Sequence, residues 1–162
     1  MRRYCSVILV LFFGVLQGCG DGPSLDISDV SRFETTLTVL NEGDVVAGAV
    51  QQGEPVILSF GFENVSGGRQ SVLFTDGQQY ELEVYDAQDT LVWNWGYGQV
   101  FTQALTMLSF EAGEIKTFEE IWDQTSNEGD QVPAGLYDVY VNRCWNPEMS
   151  EGPIQIEIEE IS

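Results

Sequence analysis

From Arg32 onward, apolar and polar residues alternate with a period of two. Val56, Leu58, Phe60 and Phe62 alternate with Ile57, Ser59, Gly61 and Glu63. Tyr80, Leu82 and Val84 alternate with Glu81, Glu83 and Tyr85, and Leu91, Trp93 and Trp95 with Val92 and Asn94. The same rhythm runs through Tyr137, Val139 and Val141 and through Ile154, Ile156 and Ile158, while Phe118 and Trp122 share a face. A strand sends successive side chains to opposite faces, so this period predicts strands with one face in a core and the other in water. Two more strands are predicted over Phe33–Leu40 and Ser71–Phe74.

Turn signals separate these runs: Asn41-Glu42-Gly43-Asp44, Gln52-Gly53-Glu54-Pro55, Ser66-Gly67-Gly68, Asp76-Gly77, Ala112-Gly113 and Pro133-Ala134-Gly135. Seven to nine short strands at this spacing predict an all-β fold, an Ig-like antiparallel two-sheet β-sandwich. One stretch has helical spacing: Phe101, Leu105 and Leu108 predict at most one or two turns over Val100–Met107. Four Trp, nine Phe and many aliphatic residues can fill the core. Each large side chain buried there contributes about 1.5–3 kcal/mol. Val132 to Tyr137 reads as the start of a sandwich strand in which the Tyr137 hydroxyl bonds back to upstream backbone.

The N-terminus breaks the pattern. Arg2 and Arg3 precede a continuous apolar run, Val7 to Leu16. Ten apolar residues are too few to cross a bilayer as a helix but suit the core of a signal peptide. Leu16-Gln17-Gly18-Cys19 resembles the lipobox of bacterial lipoproteins. That resemblance implies a signal peptide over residues 1–18, cleavage before Cys19 and acylation of its thiol. Residues 19–31 are then a flexible tether, and residues 32–162 the folded domain. The implied location is the cell envelope, lipid-anchored at Cys19, with the outer membrane (periplasmic or surface face) favoured.

Charge and cysteine content narrow the function classes. The net charge is −20, from 26 acidic and 6 basic residues, and loss of the leader makes it more negative still. Such a balance argues against nucleic acid or anionic lipid headgroups as partners. There is no His, which excludes His-assisted nucleophiles and His-containing zinc sites. With Cys5 in the leader and Cys19 acylated, Cys144 is the last cysteine, so no disulfide framework is expected. No metal, cofactor or catalytic set is expected, and the chain reads as a non-enzyme.

The region Pro55 to Val141 resembles the intracellular proteinase inhibitor (BsuPI) domains. The resemblance is carried, in order, by Phe60-Gly61-Phe62-Glu63-Asn64-Val65-Ser66, Thr75-Asp76-Gly77-Gln78-Gln79-Tyr80 and Val92-Trp93-Asn94-Trp95. Phe101-Thr102-Gln103-Ala104, Ala112-Gly113-Glu114, Ile121-Trp122-Asp123 and Pro133 to Tyr137 follow. Ala112 replaces the usual Pro, and the segments around Phe33 and from Cys144 to Glu151 have no counterpart. The resemblance implies a non-catalytic module that binds a protein, with a serine protease as the implied partner. The alternative is a structural, assembly or adhesion lipoprotein of the envelope with no inhibitory activity.

Candidate contact residues follow from exposure and chemistry. Trp93 and Trp122 read as core, since large aromatic side chains dominate burial. Trp95, Tyr97, Gln99 and Phe101 surround the Gly96-to-Gln99 tip and are the candidate partner-binding residues. Arg69 sits in a Gly-rich turn and is a weaker candidate for a protease pocket. Asp123, Asn127, Glu128 and Asp130 share a loop with oxygen ligands, but the spacing fits no EF-hand and a solvated acidic loop is favoured. Glu81/Glu83 and Glu157/Glu159 are assigned to solvent faces as solubilising pairs.

Overall fold

The computed structural model describes residues 32–43, 45–145 and 150–161. The expected signal peptide, the acylation site Cys19 and the tether lie outside the described residues. The described residues form ten strands and no α-helix. They are β1 (Phe33–Leu40), β2 (Ala49–Gln51), β3 (Val56–Asn64), β4 (Gln70–Phe74), β5 (Tyr80–Asp86), β6 (Leu91–Asn94), β7 (Thr106–Phe110), β8 (Ile115–Trp122), β9 (Gly135–Arg143) and β10 (Ser150–Glu159).

One sheet runs β1-β3-β8 and a second runs β2-β10-β9-β5-β6; β4 and β7 pair as a two-stranded ribbon. The all-β, sandwich-type expectation holds. Ten strands replace the seven to nine expected, and β2 lies parallel to β10, an exception to the antiparallel rule. Two elements were not foreseen. β2 is three residues long, too short to display a period. β7 occupies the end of the expected helical turn: Val100 to Leu105 has no regular structure, and Met107 lies within β7, opposite Leu73. Pairing with β4 overrides the local three-and-four spacing, because the ribbon buries Val72, Phe74 and Phe110 together.

The two larger sheets face each other across one core. Val56, Leu58, Phe60 and Phe62 come from β3, and Leu82 and Val84 from β5. Val139 and Val141 come from β9, and Ile156 and Ile158 from β10. These are the alternate positions that the period-two pattern selected. The β4–β7 ribbon closes one end through Phe110 against Phe33, at 5.0 Å between ring centroids, and Phe74 against Trp145, at 5.5 Å. Among the described residues, three polar side chains join the core: Asn64, Gln124 and Arg143. The Arg143 guanidinium lies 5.2 Å from the Trp145 ring centre, and burial lowers its pKa. The Tyr137 hydroxyl donates to the Pro133 carbonyl at 2.7 Å, as the sequence predicted.

Candidate functional site

The site is built around the end of β6, where the chain leaves the five-stranded sheet. Trp95 N–H donates to the Leu82 carbonyl (3.0 Å), the last rung between this chain and β5. The next residue, Gly96, turns back over the outer face of β5. Its N–H donates to Glu81 Oε1 at 2.8 Å. Gln78 Nε2 (2.9 Å) and Asn94 Nδ2 (3.3 Å) donate to Glu81 Oε2, and Leu82 N–H adds a bond at 3.1 Å. A Cβ on Gly96 would force the Glu81 carboxylate to shift, so glycine lets the backbone approach it this closely.

Asn94 extends the network. Its N–H donates to Asn127 Oδ1 (3.0 Å), and Asn127 Nδ2 donates back to Asn94 Oδ1 (2.9 Å). The loop that sequence reasoning set aside as acidic and solvated is therefore partly a brace for the tip. Asp123, in the same loop, accepts from Thr125 N–H and Oγ1 at 3.1 and 2.6 Å.

The assignment of Glu81 to a solvent face is corrected. Position 81 does point away from the core, but the β6 exit folds over it and makes it half-buried. Burial pushes the Glu81 carboxyl above its ordinary value of 4.5. That effect outweighs the hydrogen bonds from Gly96, Asn94 and Gln78, which favour the anion, and Glu83 adds repulsion in the same direction. Between 4.5 and the raised folded value, the folded state holds a proton that the unfolded state has lost. The Glu81 contribution to stability is thus full below 4.5 and falls as pH rises through that window. Glu81→Gln should remove this slope. Urea titrations of both proteins over a pH series should show wild type losing stability relative to the variant as pH rises. A relative gain would mean that the hydrogen bonds outweigh burial.

The four candidate contact residues separate into two kinds. Trp95 and Phe101 are half-buried and pack with tilted rings at 5.7 Å, and Trp95 packs on Tyr80, also tilted, at 4.6 Å. They support the loop. Gln99 folds its amide back to the Trp95 carbonyl (2.7 Å). Tyr97 points outward, with 58% of its surface exposed. The tip itself is a tight turn: Tyr97 N–H donates to Asn94 O and Gln99 N–H to Gly96 O, both at 3.1 Å. Arg69 pairs with Glu111 at 3.4 Å on the surface.

Beyond the tip, Val100 to Leu105 crosses the surface to β7. Gly77 N–H donates to the Thr102 carbonyl at 2.8 Å, and a Cβ on Gly77 would sit 2.9 Å from Thr102 Oγ1. Gly77 thus permits this contact as Gly96 permits the one at Glu81. Residues 78, 81, 94 and 127 were missed as site residues by sequence reasoning. Asn94, two residues before the Gly-Tyr-Gly turn, was the one residue of this set with a local sequence signal; Gln78, Glu81 and Asn127 reach the tip only through the fold.

The model of the intracellular proteinase inhibitor family, BsuPI, matches residues 44–144. The chain belongs to this family. The BsuPI match contains the whole tip, its Glu81 clamp and the ribbon, but β1 and β10 lie outside it. Both are integral to the fold, since β1 pairs with β3 along its full length and β10 lies between β2 and β9. No curated protein sequence matches the chain. Among solved structures, the chain is similar to a β-glucosidase from Listeria innocua in complex with gluconolactone. Identity is 15%, 78% of this chain and 16% of that chain are covered, and the TM-score is 0.45. An alkylpurine DNA glycosylase, AlkC, from Pseudomonas fluorescens is 15% identical over 81% of this chain and 31% of that one, with a TM-score of 0.42. The CARDB domain of the PF1109 protein from Pyrococcus furiosus is 13% identical over 81% and 90%, with a TM-score of 0.40. The chain spans 16% of the β-glucosidase length, and these likenesses carry no argument about function.

Proposed function

We propose that this BsuPI domain is a non-catalytic inhibitor of serine proteinases, tethered to the cell envelope through Cys19. The observation that carries the reading is the family match over residues 44–144, which includes the surface segment after β6, tied down by Gly96 to Glu81 and by Thr102 to Gly77. An inhibitor gains affinity when its contact loop is ordered before binding, because little conformational entropy is then lost on association. The resemblance of Leu16 to Cys19 to a lipobox supports the reading of an anchor and of a location outside the cytoplasm. The outer membrane, on its periplasmic or surface face, is the proposed location. The acidic surface suits a partner with a neutral or basic approach face.

The test has two parts. Full-length protein in detergent is assayed against serine proteinases of differing pocket chemistry. Dose-dependent inhibition of at least one is expected, and none across the set would leave a binding module without inhibitory activity. Cys19→Ser should release the chain from the membrane fraction, and retention there would remove the anchor.

A further inference from the structure

We infer that the contact segment of this domain is Val100–Leu105, and that it enters the substrate cleft of a serine proteinase whose primary pocket takes an apolar side chain. Val100 is the residue offered to that pocket. This rests on the inhibitor reading and deepens it by moving the contact away from the Tyr97 tip.

Exposure comes first. Val100 has 95% of its surface open to solvent and Leu105 has 71%. Two aliphatic side chains standing this far into water on one short segment bury substantial apolar area when covered. Main-chain chemistry comes second. Among the described residues, the one main-chain hydrogen bond made from Val100 to Leu105 is that between Gly77 N–H and Thr102 O. The remaining N–H and C=O groups of the segment make no main-chain hydrogen bond, and recognition by strand addition uses such unpaired groups. The Tyr97 tip lacks this capacity, because its turn bonds use Tyr97 N–H and Gln99 N–H internally.

Charge selects the partner. The chain carries 26 acidic residues, yet none of the residues from Thr90 to Phe110 is charged. Interface cores are depleted of charge, and a neutral aliphatic segment complements an apolar pocket rather than one floored by a carboxylate. Rigidity completes the case. Phe101 is held against Trp95, and Thr102 is held against Gly77, so the segment is pinned next to Val100 while Val100 itself stays free.

The experiment compares inhibition constants of the full-length chain and its variants in detergent. One proteinase has an apolar primary pocket and the other a carboxylate-floored, trypsin-type pocket. Wild type should inhibit the first preferentially. Val100→Asp should weaken inhibition by about 30-fold, the scale of an interface hot spot. Leu105→Asp should weaken it by about tenfold, and Tyr97→Ala should leave it within about twofold. These side chains are exposed, so the melting temperature should not move and misfolding cannot imitate the effect. If wild type inhibits while Val100→Asp and Leu105→Asp retain its constant, the contact lies elsewhere; the inference is overturned and the inhibitor reading survives. Inhibition confined to the trypsin-type enzyme also overturns it. Inhibition of neither enzyme counts against both the inhibitor reading and the inference that rests on it.

Discussion

Trp122→Ala should lower the unfolding free energy by about 3–5 kcal/mol, the cost of emptying a large aromatic site in a packed core. Trp122 is the last residue of β8, is fully buried and lies opposite Val56. Its ring meets Tyr137 edge-on at 5.6 Å and Trp93 at 6.4 Å, joining strands from both large sheets. Its Nε1–H donates to the Thr125 carbonyl at 2.9 Å, which fixes where the chain leaves β8. The alanine variant therefore loses apolar contact, one hydrogen bond and the geometry of the following loop. Trp122→Phe keeps most of the apolar contact and should cost about 1–2 kcal/mol, chiefly for the Thr125 carbonyl left without its donor. Urea titration gives both values, and the slope should stay at its wild-type value. An alanine cost below 1 kcal/mol would show that the surrounding side chains collapse into the vacated space.

The pattern of alternation exposed the core because burial itself imposes it: Val56, Leu58, Phe60 and Phe62 are inward because every second residue of β3 must be. Tyr137 was legible for a similar reason, since a local Pro-x-Gly-x-Tyr segment contains both donor and acceptor. The site was less legible. Trp95 and Phe101 have the composition of a docking surface, yet Trp95 packs on Tyr80 and Phe101 on Trp95, so both serve as support. Composition identifies aromatic residues but not which side of a loop they take. Glu81 was hidden because its strand position points outward, and only the return of Gly96 over β5 covers it. Contacts between residues far apart in sequence, such as Asn94 with Asn127 and Gly77 with Thr102, leave no periodic trace. The helical spacing of Phe101, Leu105 and Leu108 misled for the converse reason. A local pattern was present, but pairing with β4 determined the conformation.

Asn64→Ala should lower the unfolding free energy by about 2–4 kcal/mol, because several buried or part-buried groups lose their partner together. Asn64 closes β3 and is fully buried. Its Nδ2 donates to Gly68 O (2.8 Å) and Glu111 O (2.9 Å), with Phe110 O at 3.3 Å, and its Oδ1 accepts from Ser66 N–H (3.0 Å) and Oγ (2.6 Å). Its N–H donates to Glu114 O and its carbonyl accepts from Gly113 N–H, at 3.0 and 2.9 Å. One residue thus joins the turn before β4 to the turn after β7 and sets the ribbon against the sandwich. The amide donor is the part that nothing else can replace. Asn64→Asp keeps the acceptor for Ser66 but turns the donor into a carboxylate oxygen facing carbonyl oxygens. At neutral pH it should cost at least as much as alanine. The same repulsion favours the protonated acid in the folded state, raising the folded pKa of the new carboxyl above its unfolded value. Stability should therefore return as pH falls through that window, when the acid donates one hydrogen bond again. Asn64→Ala has nothing to protonate and should show no such recovery relative to wild type. Equal pH dependence of the two variants would place the energy of this site in the Ser66 turn instead. Loosening β7 also frees the far end of Val100–Leu105, so both variants should weaken proteinase inhibition alongside stability, whereas Val100→Asp should weaken inhibition alone.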